Sequence, residues 1–351
     1  MSLNLPPLKE RPELLADWIE LRTLADKRGE FSLARIGRFW DKNRETEHSD
    51  SEGRESEEFD TDNEGVSGGD VEKFLSAITD EIGERLNHLG ECYPFKFSND
   101  GNKLITKKEL TPGAITYAFC LFFEHHKAGE IWSGKWLPKI DNSVRDLFQV
   151  CSTLAAAAHV NGSAISFGWP RPNSNPPFLQ KLKEVYSQFG EGKPRESPLP
   201  GAAPMVKDEE IDIIAWKPRS DNAPGTTYLL GQVASGENWT QKSIAGGSIN
   251  YFHNTWFEII PPSTPNPAIF IPHAVPPCGE GKRRDRIALL TAKFGMIFDR
   301  MIVPSLTQQG LEIATKKPLG IIIERAEEYG KINTWVENQI SNLRVAGGVP
   351  L

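Results

Sequence analysis

Two polar residues stand inside otherwise apolar runs, and their types point to metal chemistry. Asp212 lies in EIDIIAW (residues 210–216) and Gln232 in YLLGQVASGENW (residues 228–239). Between them, PRSDNAPG (218–225) concentrates the Pro, Asn, Asp and Gly that make turns. Residues 211–217 and 226–233 therefore read as the two strands of a hairpin. With the turn centred between Asp221 and Asn222, antiparallel pairing sets position 212 opposite about 231, one step from Gln232. The Asp212 carboxylate, the Gln232 amide oxygen and the main-chain carbonyl of Val233 would make an all-oxygen site. Hard divalent cations such as Mg2+ or Mn2+ prefer such donors and keep further positions for water and phosphate. An ion held there would acidify a water and offset charge on a scissile phosphate. The alternatives are local: Asp212 capping a strand edge or pairing with a lysine, and Gln232 as a satisfied polar residue in a turn.

The arrangement resembles the PD-(D/E)XK nuclease superfamily, particularly its Mrr-like restriction and defence branch. That family's pattern is a helix with an acidic residue, an aspartate on a strand, (E/Q)-x-K on the next strand, and a further helix. The matching positions are Asp212 in EIDIIAW and Gln232 in GQVAS, and the resemblance covers roughly residues 140–275. Two positions depart from the pattern. Ala234 stands where the lysine belongs, and the nearest replacement is Lys242 in ENWTQK. With Asn238 as N-cap, Lys242 is expected in the first turn of the following helix, where its amine would reach back to the strand ends. In DLFQVCSTL the position of the helix acid is Gln149, an amide without charge; Glu72 in DVEKF is a lower-ranked substitute. The resemblance implies a restriction-endonuclease-like core and a metal-dependent nuclease acting on DNA in a prokaryotic anti-phage or restriction system. Asp212, Gln232 and Val233 would hold the metal, Lys242 would assist the attacking water, and Gln149 would hold a water. The missing lysine and missing acid equally fit a nuclease fold retained as a scaffold or recognition subunit of a defence complex. RNA is a further substrate candidate. Protein partners from the same system and a homo-oligomer are compatible with either reading.

A second cluster suits the nucleic-acid backbone. GKRRDR (281–286) brings Lys282, Arg283, Arg284 and Arg286 to the start of a helix, with Lys207 and Arg171 as possible extensions. Such a patch contacts phosphates, with an affinity that falls steeply with salt; the alternative is a solvated helix start. No phosphate-loop, nucleophile-elbow or H-E-x-x-H pattern is present. His125 and His126 are adjacent and cannot share a helix face. His253 and His273 are isolated, and Trp239 and Trp256 read as packing residues.

The elements that must position these residues follow from periodicity. Residues 7–42, 70–90 and 111–129 read as helices, the last with Thr111 as N-cap and Pro112 at N1. Residues 142–162 form an alanine-rich helix and 178–190 a shorter one. Strands are expected at 211–217, 226–234 and 266–275, with helices at 239–257, 283–303 and 321–344. The strands of the hairpin are apolar on both faces, as a helix-covered sheet requires. The expected fold is α/β, a mixed β-sheet flanked by helices, preceded by a mainly helical N-terminal region. The expected divisions are an N-terminal helical segment (1–42), an acidic linker (43–69), a helical region (70–135), a nuclease-like core (136–305) and a C-terminal helical segment (306–351).

Composition sets the outer limits. The chain has 351 residues and a net charge of −7. Ten acidic residues lie between Glu45 and Glu64 against a single Arg54. Such a segment buries too little apolar surface to offset its ordering entropy. Without it the chain is near neutral, which leaves room for a local basic surface. No run of about 18 apolar residues occurs, so no membrane span is expected. Cys92, Cys120, Cys151 and Cys278 show no C-x-x-C spacing, and read as reduced core thiols of a cytoplasmic protein.

Overall fold

The structure, a computed structural model, describes residues 3–8, 11–39, 68–134, 136–171, 175–201, 206–279 and 282–346. Residues 43–67 of the expected acidic linker lie outside these. The chain forms two compact units: 1–109 with 125–138 and 337–351, and 110–124 with 139–336.

The smaller unit contains α1 (Pro12–Ala25), β1 (Glu30–Ser32), α2 (Gly68–Leu89), β2 (Phe95–Phe97) and β3 (Lys103–Thr106). The three strands form an antiparallel sheet in the order β1-β3-β2. This sheet is a departure from the helices expected over 7–42, where β1 lies, and from the helical region expected over 70–135, where β2 and β3 lie. Each strand is three or four residues long with a single fully buried position, too short for a period-2 pattern to register. Arg85 is 2% exposed and donates to Asp17 at 2.5 Å, Glu20 at 2.8 Å and Glu81 at 2.7 Å. A buried guanidinium stays charged only with such partners around it. His125 Nε2 lies 2.7 Å from Asp17 Oδ2, which gives this histidine a role in the same network.

The larger unit begins with α3 (Pro112–Glu124) and α4 (Asn142–Val160). Thr111 caps α3 through its hydroxyl, as expected, but the helix stops at Glu124, short of residue 129. Asp141 caps α4, accepting from the Ser143 and Val144 amides. The unit continues with β4 (Ser163–Ser166), α5 (Phe178–Phe189), β5 (Lys193–Pro194), β6 (Ile213–Trp216), β7 (Tyr228–Val233), α6 (Gly247–Trp256) and β8 (Phe257–Ile259). It closes with β9 (Pro265–Phe270), α7 (Arg283–Phe294), β10 (Met296–Phe298), α8 (Val303–Lys316) and the start of α9 (Tyr329–Ala346).

Five strands form one mixed sheet in the order β10-β9-β7-β6-β4. β6 pairs antiparallel with β4 and β7, whereas β9 pairs in parallel with β7 and β10. One face, with Ile165, Ile214, Trp216, Tyr228 and Leu230, packs on α5 and α6 through Leu182, Val185, Tyr186, Phe252 and Trp256. The other face carries α4, and α8 lies across α4. The mixed sheet flanked by helices is the fold class expected from the sequence. β6 and β7 are buried along almost their whole length because both faces are covered. α8 approaches α4 closely enough that a Cβ on Gly310 would lie 2.2 Å from the Leu154 carbonyl oxygen.

Three expected helices are divided differently. Residues 283–303 are α7, then β10, then the first residue of α8, because MIF pairs in parallel with Ala268–Phe270 of β9. Residues 239–257 hold a short 3-10 turn (Glu237–Gln241) and then α6, separated at the glycines. Residues 321–344 become helical only at Tyr329; the preceding β-branched run lies along β4, with the Ala164 amide donating to Ile322 and the Glu324 amide donating to Ala164. β4 itself, four buried residues between a helix and a Pro-rich stretch, escapes the periodicity altogether.

Candidate functional site

The hairpin places Asp212 and Gln232 together. β6 pairs with β7 as Ile214↔Leu230 and Ile213↔Gly231, where the ladder ends; just beyond it Asp212 bonds the residues on either side of Gln232, its amide donating to the Gly231 carbonyl and its carboxylate accepting from the Val233 amide. The regular ladder is one residue out of the expected register, but Asp212 itself bonds to Gly231, the position expected opposite it. Gln232 is 6% exposed, and its Oε1 is buried without a hydrogen-bond partner.

Asp212 is held immediately before β6 begins. Its amide donates to the Gly231 carbonyl at 2.9 Å, and its own carbonyl accepts from the Phe167 and Gly168 amides at 2.7 and 3.0 Å. Its carboxylate Oδ2 accepts from the Val233 amide at 2.7 Å. In an extended strand the N–H and C=O of one residue leave on the same side. The Val233 carbonyl is therefore directed toward the strand edge on which Asp212 sits. The next amide, Ala234, donates the other way, to Phe270 on β9.

Surrounding protein withdraws the Asp212 carboxyl from water, and that burial pushes its pKa up to about 7. The Val233 hydrogen bond opposes the shift; Asp208 adds to it, Lys242 opposes it and Glu210 adds to it. A carboxyl balanced at neutrality is responsive to any cation brought beside it.

Gln149 comes to the same place from α4. It is 8% exposed, and its Nε2 donates to Ser166 Oγ at 2.8 Å and to the Asp212 carbonyl at 3.4 Å. Gly168 lies between the two side chains: a Cβ there would meet Asp212 Oδ1 at 2.5 Å and Gln149 Nε2 at 2.8 Å. One turn earlier on α4, Arg145 donates to the carbonyl and hydroxyl of Ser235 at 3.3 and 3.1 Å, two residues past Val233. Arg145, Ser166 and Gly168 were not singled out by sequence; for Arg145 the available signal was its i,i+4 spacing from Gln149.

Lys242 is brought close enough to Asp212 for its charge to favour the carboxylate, but from a different element than expected. It is the extended C-cap of the 3-10 turn, and Asn238 lies inside that turn. Ala234 is fully buried in an apolar cluster with Ile269, Ile271 and Phe294, so a lysine at that position would enter the core. Glu72 belongs to the smaller unit.

The basic cluster is only partly available. Arg283 donates to the buried Asp299 at 2.6 Å, and Asp299 also receives the Val275 and Met301 amides. Lys282 and Arg284 are exposed and Arg286 is half-buried. Lys282 caps α7, its amide donating to Asp285. The opposite end of α7 touches the segment next to Lys242: Lys293 donates to the Thr240 carbonyl, and the Ser243 hydroxyl donates to the Lys293 carbonyl. A twelve-residue helix is about 18 Å long, so the 282–286 cluster sits a helix length from that contact. Lys207 is exposed on the approach to β6.

His253 is buried against Tyr228 and Phe257, and burial lowers its pKa to about 4. Cys92, Cys120 and Cys151 are buried free thiols, but Cys278 is exposed, contrary to the expected core position. No helix among the described residues is long and apolar enough to cross a membrane. Compared with known protein families, curated proteins and solved structures, the chain matches none.

Proposed function

We propose that the protein is a metal-dependent nuclease that hydrolyses phosphodiester bonds in DNA, with Asp212 at the centre of its site. The observation that carries this reading is the seating of Asp212 against both neighbours of Gln232, through the Gly231 carbonyl and the Val233 amide, with the Gln232 oxygen buried and unpartnered. An orphaned buried acceptor is costly unless something completes it. The donor set of carboxylate, amide oxygen and main-chain carbonyl suits Mg2+ or Mn2+. Such an ion supplies positive charge against the phosphate and acidifies a water. The chain's own residues do the rest. Asp212 fixes the site through the Val233 amide. Lys242 steadies negative charge on the phosphorane-like transition state as water adds to phosphorus and the leaving oxygen departs. Gln149 lines the opposite side. With β4, α5 and β5 set between α4 and β6, the sequence α4, β6, β7, α6 also parallels the helix–strand–strand–helix pattern of the PD-(D/E)XK nucleases. A place in prokaryotic anti-phage or restriction defence, with partners from the same system, is the context that this resemblance suggests.

Purified protein incubated with plasmid, single-stranded DNA and RNA tests the proposal. Cleavage is expected with Mg2+ or Mn2+, none in EDTA, and a loss of about 100-fold or more in Asp212→Ala. A second reading has its own support: a carboxylate with a raised pKa, an uncharged Gln149 and a buried Ala234 fit a nuclease fold kept as a scaffold or recognition subunit. Intact substrate in every arm, including with proteins encoded beside it added, selects that reading.

A further inference from the structure

Trp169 is the only exposed tryptophan among the described residues, at 44%. It directly follows Gly168, where a Cβ would lie 2.5 Å from Asp212 Oδ1, and its amide donates to Asp208 Oδ2 at 3.3 Å. The ring has a built support. The Arg171 guanidinium lies over it at 5.4 Å and is itself 3% exposed. That same guanidinium lies 5.3 Å from the Phe167 ring and 5.5 Å from the Phe178 ring. It donates from Nη1 to the Pro176 carbonyl. Its Nε and Nη2 have no hydrogen-bond partner, which is consistent with a cation held among aromatic faces. Phe178 packs in turn on Trp256 at 4.7 Å. A solvent-facing indole is thus held on a cationic and aromatic stack, two residues along the chain from Phe167, whose amide donates to the Asp212 carbonyl.

We propose that Trp169 is a stacking platform for an unpaired nucleobase adjacent to the bond cleaved, so that the site favours single-stranded or frayed nucleic acid over intact duplex. This rests on the nuclease reading above. Any base offers a π face, and a paired base inside a duplex does not. Fixing the ring in advance reduces the ordering cost of binding.

The test uses full-length protein in EDTA with oligonucleotides, DNA and RNA in separate arms, carrying a single 2-aminopurine. Stacking on Trp169 quenches the probe. Wild type and Trp169→Phe are expected to quench. Trp169→Ala is expected to lose the quenching and to bind single strands about 10-fold more weakly. Duplex affinity should change less than about two-fold, with the thermal unfolding midpoint unmoved. Wild-type protein that binds the oligonucleotide without quenching overturns the proposal, as does Trp169→Ala with wild-type quenching and affinity. In both cases Asp212-dependent cleavage leaves the nuclease reading standing. Wild type that neither binds nor cuts any nucleic acid overturns both.

Discussion

At the scale of single residues, Asp212 links the site to stability. Its carboxyl is held protonated up to about pH 7 in the folded chain, whereas an unfolded aspartate ionises near 3.9. Below about pH 4 both states carry the proton, and above about 7 neither does. Between these limits only the unfolded chain has released it, so folding stability falls as pH rises through this window. The total is on the order of 2 to 4 kcal/mol. Asp212→Asn retains an oxygen for the Val233 amide and removes the titration. Thermal unfolding should therefore show the variant more stable than wild type at pH 8 and equal to it at pH 4. A variant less stable at pH 8 would refute this burial. Because a metal needs the ionised carboxylate, Mg2+ or Mn2+ should narrow the pH 8 gap by stabilising wild type alone. Gly168 belongs to the same scale. Gly168→Ala places a methyl carbon 2.5 Å from Asp212 Oδ1, and the expected result is loss of metal-dependent cleavage with only a small change in unfolding midpoint.

At the scale of elements, the site depends on how α4 is seated. Its face carries Arg145 and Gln149, and its back is pressed by α8 at Gly310. Gly310→Ala would drive a carbon to within 2.2 Å of the Leu154 carbonyl oxygen, a main-chain atom that cannot swing away. Urea unfolding should show a loss of about 1–3 kcal/mol. The hairpin that presents Asp212 and Gln232 was legible in the sequence because its turn residues and double-sided apolar strands carry strong local signals. The seating of α4 was not, since nothing in VPSLTQQGLEIATK names the helix it packs against. β4 and β10 were missed for a related reason. Each is only three or four residues long, and pairing with strands distant in sequence makes them strands. Lys242 shows the limit from another side: its nearness to Asp212 was anticipated, but the 3-10 turn that carries it replaced the expected helix.

At the scale of the whole molecule, charge is the property most open to experiment. The ten acidic residues between Glu45 and Glu64 account for more than the net charge of −7. Deleting 45–64 should raise affinity for DNA and steepen its dependence on salt as phosphate contacts gain weight. Fluorescence anisotropy across a salt series measures this, and unchanged affinity would remove any competition between this segment and nucleic acid. The sequence supplied this charge distribution directly. It did not supply the commitment of Arg283 to Asp299, which takes one of the four basic side chains of 282–286 into an internal ion pair.

The strip formed by residues 321–324 has a consequence for biosynthesis. It covers the outer side of β4, and Glu324 Oε2 accepts the Ser166 amide across 158 positions of chain. Gln149 leans on that same serine. A nascent chain still tethered at residue 300 exposes an uncovered strand edge beside a half-supported glutamine. Completion of the pocket is therefore deferred until residues 321–324 have been made, and fragments ending before them should be inert and prone to self-association.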